Sequence, residues 1–345
     1  MKTEHKIIFG DARDMKQIKN ESVDLMITSP PYPMIQMWDE MFGEQNPEIT
    51  KALKAEDGEK AFELMHKELD KVWDETFRVL KNGGIACINI GDATRTLKDV
   101  FQIYTSHARI LNHCLKLGFH ALPEILWVKE TNKPDKFMGS GMLPVGAYVT
   151  LEHEHILILR KDGKRIFKKE DEKELRRKSA FFWEERNLWF SDKWKDINGV
   201  IQGLNNKDLR ARSGAYPLEL VYRLINMFSI QGDVVLDPYL GTGTTTIGAI
   251  VSGRSSIGFE IDKNFKESVE ERIIETSKVV NDITNKRIEN HKEFVKKRTE
   301  EKGELKYISE NYGFPVMTRQ ELKIKLPILK YFNQKEEGIF EAGFD

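Results

Sequence analysis

The sequence has few cysteines, no excess of charge of either sign and no long hydrophobic run, and each absence excludes a class of protein. Its two cysteines, Cys87 and Cys114, are too few for a disulfide framework and lack metal-ligand spacing. The 54 basic and 55 acidic residues give a net charge of -1, so any nucleic-acid-binding surface has to be local. Neither a signal core nor a segment of membrane-spanning length is present. We therefore expect a reduced, cytoplasmic protein with no bound metal and no membrane contact.

Apolar segments with strand-like and helix-like spacing alternate along most of the 345 residues. Strands are predicted over residues 6–9, 23–27, 85–90, 124–129, 155–159, 234–236 and 256–259. Helices are predicted over residues 49–80, 101–117, 218–228 and 246–251, followed by one or two long charged helices. This alternation predicts an α/β fold in which a mainly parallel, twisted sheet is covered by helices on both faces.

One predicted strand ends in two consecutive prolines, in the stretch Thr28-Ser29-Pro30-Pro31-Tyr32. Neither proline has an N–H to donate, so the hydrogen-bond ladder of the strand stops there. The stiff backbone that follows carries the hydroxyl of Ser29 and the ring of Tyr32. Open α/β sheets place their sites at such carboxyl ends of strands. The corner is therefore either a holder for a flat, polar, stackable group or a loop that merely contains two prolines.

A second constellation is Asp237-Pro238-Tyr239-Leu240-Gly241-Thr242-Gly243-Thr244-Thr245, which joins a strand to a helix. The next strand ends at Glu260, so the whole is a nucleotide-type βαβ unit. Glycines at 241 and 243 allow the backbone to approach a ligand at the helix N-terminus. An acid at the position of Glu260 is placed to hydrogen-bond a ribose diol.

The ligand of this loop is predicted from its charges. A phosphate-binding loop of the Walker type requires a lysine where Thr244 stands. Asp237 would repel a pyrophosphate but can bind an ammonium group. S-adenosylmethionine has both an amino-acid end and a ribose, so it fits better. Asp11, in Gly10-Asp11-Ala12 after the first strand, then either accepts from the adenine amino group or only forms a turn.

The most basic part of the chain, residues 160–178, has ten basic and five acidic residues. An aromatic cluster follows it, formed by Phe181, Phe182, Trp183, Trp189, Phe190 and Trp194. Basic residues beside aromatics suit a surface that contacts phosphates and stacks on bases. The alternative is a solvated helical face followed by a small hydrophobic subcore.

Together these stretches resemble the amino-methylating DNA methyltransferases of the permuted (beta) group, whose catalytic motif precedes the cofactor motif. The matching stretches are Gly10-Asp11-Ala12, the Ser-Pro-Pro-Tyr corner, the glycine loop and Gly258-Phe259-Glu260-Ile261-Asp262. Ser213-Gly214-Ala215-Tyr216-Pro217 is similar to the cofactor-proximal stretch of the family, with Ser213-Gly214 where His-Pro is common. The resemblance covers about residues 5–130 and 205–265.

The resemblance implies a Rossmann-like, S-adenosyl-L-methionine-dependent catalytic domain over residues 1–132 and 213–285. It implies a target-recognition insert over 133–212, and it leaves residues 286–345 as a charged extension without an assigned role. The implied substrate is double-stranded DNA with a flipped target base. The implied catalytic residues are Ser29, Pro30, Pro31 and Tyr32, and the implied cofactor-binding residues are Asp11, Ala12, Asp237, Pro238, Gly241, Gly243, Thr244 and Glu260.

The implied chemistry is direct methyl transfer to an exocyclic amine without a covalent intermediate. Ser29 and the Pro30 carbonyl would accept the amine N–H groups and expose its lone pair, while Tyr32 stacks on the base. Carbon-5 methylation needs a cysteine after a proline, and neither cysteine has that context. Family members with serine at position 29 mostly methylate cytosine-N4, which is favoured here, and adenine-N6 is the alternative.

Two further alternatives are a catalytically silent DNA-binding relative and an RNA or protein methyltransferase. The intact corner, with Asp237 and Glu260, argues against the first, and the reversed motif order argues against the second. A cognate restriction endonuclease that acts on the same DNA site is the partner such an enzyme implies. The recognised DNA sequence and the oligomeric state cannot be predicted from these residues.

Overall fold

The computed structural model describes residues 1–129, 138–199 and 216–345. Its described strands are β1 (Lys2–Phe9), β2 (Val23–Thr28), β3 (Leu80–Ile90), β4 (Ala93–Leu97), β5 (Val100–Tyr104), β6 (Phe119–Val128), β7 (Met138–Gly139), β8 (Ala147–Tyr148), β9 (His153–Lys161), β10 (Lys193–Trp194), β11 (Val234–Asp237), β12 (Ser255–Glu260), β13 (Tyr307–Ile308), β14 (Pro315–Val316), β15 (Leu329–Glu336) and β16 (Ile339–Phe344). Its described helices are α1 (Asp39–Gln45), α2 (Pro47–Lys54), α3 (Gly58–Val79), α4 (Ser106–Leu117), α5 (Glu170–Lys178), α6 (Trp183–Trp189), α7 (Leu218–Phe228), α8 (Thr244–Val251), α9 (Lys266–Ser277) and α10 (Val280–Lys302).

Ten strands form one sheet in the order β10-β6-β9-β3-β2-β11-β12-β1-β16-β15. Five of the nine adjacent pairs are parallel, including the central run from β3 through β2, β11 and β12 to β1. Strand β9 runs antiparallel between β3 and β6, and β16 runs antiparallel beside β1. The prediction of an α/β fold with a mainly parallel sheet is confirmed. The carboxyl ends of the central parallel strands lie at one edge, here called the carboxyl edge; the opposite one is the amino edge.

The central strands are hydrophobic throughout because helices cover both faces of the sheet. All six residues of β2 are buried. Met26 packs in the core that α3 and α4 share with one face, whereas Leu25 and Ile27 pack with α7 on the other. This burial holds the end of β2, and hence the Ser-Pro-Pro-Tyr corner, in a fixed position at the carboxyl edge.

Two predicted helices differ from the structure. The helix expected over residues 49–80 is two helices, because Glu56 has a positive φ of 56° and Asp57 caps the second by accepting from the Lys60 N–H. The helix expected over 101–117 begins only at Ser106. The preceding residues form the hairpin of β4 and β5, whose turn residues Lys98 and Asp99 both have positive φ.

The basic run lies away from the carboxyl edge. Strand β9 begins at that edge and reaches the amino edge at Lys161, about 27 Å away at ~3.4 Å per residue. There Arg165 pairs with Asp233, which precedes β11, at 2.6 Å. In the aromatic cluster that follows, Phe182, Trp189 and Trp194 are buried. For these three residues the structure agrees with the subcore interpretation.

Residues 286–345 contribute strands to the sheet and also pack against the aromatic cluster. Strand β16 pairs with β1, and the ring of Phe182 stacks on His291 of α10 with centroids 3.9 Å apart. Arg287 of the same helix donates to both carboxylate oxygens of Glu185, at 2.5 and 2.7 Å. Among the described residues, no helix is both long and apolar enough to span a membrane.

Candidate active site

A cleft of about 740 Å³ opens at the carboxyl edge. Its walls come from the ends of β1, β2, β11 and β12, which are neighbours in the sheet. Ten of the predicted site residues line it: Asp11, Ala12, Ser29, Pro30, Pro31, Tyr32, Pro238, Gly241, Thr244 and Glu260. The structure therefore brings the proline corner and the glycine loop to opposite walls of one cavity, although about two hundred residues separate them in the chain.

A polar network surrounds the corner and consists of Ser29, Tyr32, Asn89, Glu154 and Lys129; we call it the corner network. The Tyr32 hydroxyl lies 3.1 Å from the Ser29 Oγ and donates to Glu154 at 2.9 Å. The Asn89 amide donates to the Tyr32 hydroxyl at 2.9 Å and to Glu154 at 2.6 Å. Lys129 forms an ion pair with Glu154, and its ammonium lies 4.1 Å from the centroid of the Trp127 ring. These contacts fix the orientation of the Tyr32 ring.

One polar atom of Asn89 makes no hydrogen bond within this network. Its side-chain oxygen is buried and has no hydrogen-bond partner among the described residues. The amide orientation follows from its neighbours, because the nitrogen faces the Glu154 carboxylate. An unsatisfied buried acceptor costs about 1–3 kcal/mol. Asn89 also lines the cleft, and the atom that faces Ser29 is its amide nitrogen, 3.4 Å from the Ser29 Oγ.

Asn89, Lys129 and Glu154 were not predicted as site residues. The one available signal was an isolated polar residue inside an apolar strand, as Asn89 is within Ile85–Ile90. Glu154 reaches the carboxyl edge only because β9 is antiparallel, and strand direction is not encoded in a short apolar run.

Asp237 lies beneath the cleft and does not line it. Its carboxylate is 2% exposed and accepts from Thr28 at 2.7 Å, Tyr216 at 3.1 Å, Thr245 at 2.5 Å and the Tyr239 N–H at 3.0 Å. Burial raises its pKa, against the opposing effect of these hydrogen bonds. All of its partners are internal, so the expected direct contact with a ligand ammonium is not what this geometry provides. Asp237 instead ties the end of β2 to the glycine loop.

The glycine loop leads into helix α8, and two residues of the loop have left-handed backbone conformations. Gly241 and Gly243 have φ of 53° and 80°, which a residue with a side chain rarely adopts. Gly243 does not line the cleft but caps α8. The hydroxyl of Thr244, the first residue of that helix, is buried without a hydrogen-bond partner among the described residues. The cleft therefore meets the N-terminus of a helix, which suits a polar or anionic ligand group.

The two acids of the cofactor wall have different surroundings. Glu260 accepts from the N–H groups of Gly241 and Asp262, at 2.9 and 2.8 Å, and burial raises its pKa to about 7. For Asp11, burial acts in the same sense, but hydrogen bonds from Arg13 outweigh it and hold the pKa below its usual value. Arg13 contacts both Asp11 oxygens, so that carboxylate is already paired.

Of the stretch before α7, only its last two residues are described. Tyr216 lines the cleft, and its hydroxyl lies between Asp237 and the Thr245 Oγ1, 2.6 Å from the latter. Ser213, Gly214 and Ala215, on which the departure from the family pattern falls, lie outside the described residues.

A family model for DNA methylases matches residues 23–271, well over half of the chain. The chain belongs to the N6/N4 DNA methylase family. It is 54% identical to Type II methyltransferase M.MthZI of Methanothermobacter thermautotrophicus over 99% of this chain and 95% of that one. It is 52% identical to Type II methyltransferase M.MjaI of Methanocaldococcus jannaschii, over 79% of this chain and 91% of that one.

Among solved structures, the chain is similar to TTHA0409 of Thermus thermophilus, which was crystallised in complex with S-adenosyl-L-methionine. The TM-score is 0.61 at 33% sequence identity, and the match covers 79% of this chain and 95% of that one.

Replacing Asp237 by alanine is expected to lower the free energy of unfolding by about 3 kcal/mol, because several buried donors lose their common acceptor. Asp237→Asn keeps one oxygen for Thr28 and Tyr239 and should lose less than half as much. Urea unfolding followed by circular dichroism measures both. An Asp237→Ala variant as stable as the wild type would contradict the linking role of this carboxylate.

Proposed function

We propose that this DNA methyltransferase transfers a methyl group from S-adenosyl-L-methionine to the exocyclic N4 amine of cytosine at specific sites in double-stranded DNA. The observation that carries the proposal is that the Ser-Pro-Pro-Tyr corner, held by the corner network, lines the same cleft as the glycine loop. A rigid corner that presents a hydroxyl acceptor suits a donor such as an exocyclic amine.

The corner supplies hydrogen-bond acceptors to the target base. Ser29 Oγ and the Pro30 carbonyl are proposed to accept the two N–H groups of the amine. These bonds draw the nitrogen lone pair out of conjugation with the ring and make it available for attack. The prolines and the corner network hold the acceptors in place before the base arrives, so little reorganisation accompanies the reaction. The Tyr32 ring offers an apolar face on which the base can stack.

Lys129 supports cytosine over adenine as the target. Cytosine carries two acceptors, N3 and O2, next to its amine, whereas adenine has a C–H where cytosine has O2. A flipped base is read by hydrogen bonds to this edge. The Lys129 ammonium lines the cleft within the corner network, where it can donate to O2 while Glu154 keeps it in place. Adenine-N6 is the second candidate, because the corner accepts any exocyclic amine.

The opposite wall suits S-adenosyl-L-methionine, which supplies the methyl group as a sulfonium. Glu260 is placed to accept from the ribose hydroxyls, and Asp11 and Ala12 stand where the adenine would lie. The N-terminus of α8, where Thr244 lines the cleft, is proposed to face the carboxylate of the amino-acid end. We assign Asp237 a positioning role beneath the loop, with Pro238, Gly241 and Gly243 shaping the loop itself.

The double-stranded DNA is proposed to lie across the carboxyl edge. Within the insert of residues 133–212, the loop between β6 and β9 starts and ends at that edge and exposes Met142, Leu143 and Val145. We therefore assign target recognition to this loop rather than to the basic run, which lies at the amino edge. A restriction endonuclease that cleaves the same sequence is the proposed partner, since M.MthZI and M.MjaI are named Type II methyltransferases.

We expect purified protein to transfer tritiated methyl groups from S-adenosyl-L-methionine to plasmid DNA, with N4-methylcytosine as the labelled nucleoside after digestion. Ser29→Ala should lower turnover by about a hundredfold with little change in cofactor affinity, because it removes one preorganised hydrogen-bond partner. Ser22→Ala, at the other end of the same strand, is the matched control. Label in N6-methyladenine alone would contradict the base assignment, and no label in DNA would contradict the reaction.

Cofactor affinity is expected to rise with pH through the pKa of Glu260, which is about 7. Below this pKa the carboxyl group is protonated and accepts hydroxyl hydrogen bonds poorly; above it the carboxylate accepts them well. The dissociation constant should fall about fivefold between roughly pH 6 and pH 8. Calorimetry of wild type and Glu260→Gln provides the test, since the amide does not titrate. An equal pH dependence in both proteins would rule out this role.

A further inference from the structure

A group of histidine and acidic side chains lies beside the corner network and has no part in the proposed reaction. Asp92 directly follows β3, His107 is in the first turn of α4, and His155 is on β9. One potential ligand atom of each lies within 4.8 Å of those of the other two. A fourth side chain, Glu124 of β6, approaches His155 Nδ1 at 3.4 Å. Four elements distant in sequence thus converge on one point.

We propose that Asp92, His107 and His155, with Glu124 as the fourth ligand, bind one late first-row divalent metal ion of the zinc type. Two imidazoles and two carboxylates form a nitrogen and oxygen donor set that suits such ions better than Mg²⁺ or Ca²⁺, which prefer oxygen ligands alone. The sequence predicted no metal because that expectation rested on cysteine spacing, and these histidines are 48 residues apart.

The charges of the group favour a divalent cation over two protons. Asp92 and Glu124 bring two negative charges close to the imidazoles. Protonating both histidines would balance them, but the two rings are stacked, with centroids 3.8 Å apart and planes 9° from parallel. Two imidazolium rings at that distance repel each other strongly. One divalent ion supplies the same charge without this repulsion.

Binding a metal ion at this group requires only an adjustment of its side chains. A tetrahedral ion with bonds near 2.0–2.2 Å has its ligand atoms about 3.4 Å apart. The ligand atoms of Asp92, His107 and His155, within 4.8 Å of one another, therefore have to close by about 1 Å while the two rings turn out of their stack. Glu124 lies 3.4 Å from His155 Nδ1 but outside this group of three, so its side chain has to swing in to become the fourth ligand. Without a metal, Asp92 accepts from the His107 backbone N–H at 3.1 Å and faces its ring nitrogen at 2.8 Å, which preorganises two of the ligands.

The group lies next to the corner network, so a bound ion would affect the structure around the corner. Asp92 follows Gly91, and a Cβ at Gly91 would lie 2.9 Å from the Tyr32 ring. His155 follows Glu154 of the corner network on β9. An ion bound here would join the carboxyl-edge ends of β3 and β9 and the middle of β6 to the start of α4. Because it binds the folded chain, it should raise the melting temperature.

The test uses full-length protein without a histidine tag, stripped with EDTA and then dialysed. We expect it to bind one equivalent of Co²⁺ with visible d–d absorption, to retain one Zn²⁺ after gel filtration, and to melt several degrees higher with Zn²⁺ than with Mg²⁺. The variants His107→Gln and His155→Gln, checked for folding by circular dichroism, should lose the bound metal and the shift in melting temperature.

His153→Gln is the matched control, because His153 is on the same strand, its ring is only 5.0 Å from that of His155, and it is not in the group. This variant should bind metal as the wild type does. The proposal is overturned if the wild type binds neither Co²⁺ nor Zn²⁺. It is equally overturned if the double variant His107→Gln/His155→Gln keeps one equivalent. In either case the four side chains are only a hydrogen-bonded cap of α4 and an ion pair between strands.

Discussion

The hydrogen bond from Thr28 to Asp237 is the contact on which the active site depends. It joins the last residue of β2 to the last residue of β11, and these strands are neighbours in the sheet. The residue after Thr28 begins the Ser-Pro-Pro-Tyr corner, and the residues after Asp237 form the glycine loop. One buried carboxylate therefore sets the distance between the proposed base pocket and the proposed cofactor wall. Direct methyl transfer requires that distance to be held closely, since positioning supplies much of the rate.

The fold was predictable where the hydrophobic pattern had a single interpretation. The buried β2, the short β11 and the helix after Pro217 were found because apolar periodicity and proline define them locally. The hairpin of β4 and β5 was missed, since its Lys98-Asp99 turn lacks the usual glycine or asparagine. The direction of β9 was also not predictable. Its antiparallel direction places Glu154 at the carboxyl edge and Lys161 at the amino edge.

The candidate site was predictable as far as its motifs are contiguous. The corner and the glycine loop are each one stretch of sequence, and the order of the sheet brings them together. Asn89, Lys129 and Glu154 are single residues on three different strands or strand ends, so only the tertiary structure reveals the network they form with Tyr32. Asp237 illustrates the converse case: its position was identified, but its burial and four internal hydrogen bonds give it a positioning role.

The most direct measurement is the single-turnover rate of methyl transfer by Thr28→Val. Valine has nearly the shape of threonine, and Asp237 keeps its other donors, so the fold and the cofactor affinity should be retained at a loss of about 1–3 kcal/mol in the free energy of unfolding. Thr28 is buried and does not line the cleft, yet the rate should fall about tenfold or more because a charge-assisted hydrogen bond that aligns the two walls is lost. A Thr28→Val variant that transfers methyl groups at the wild-type rate would contradict the account.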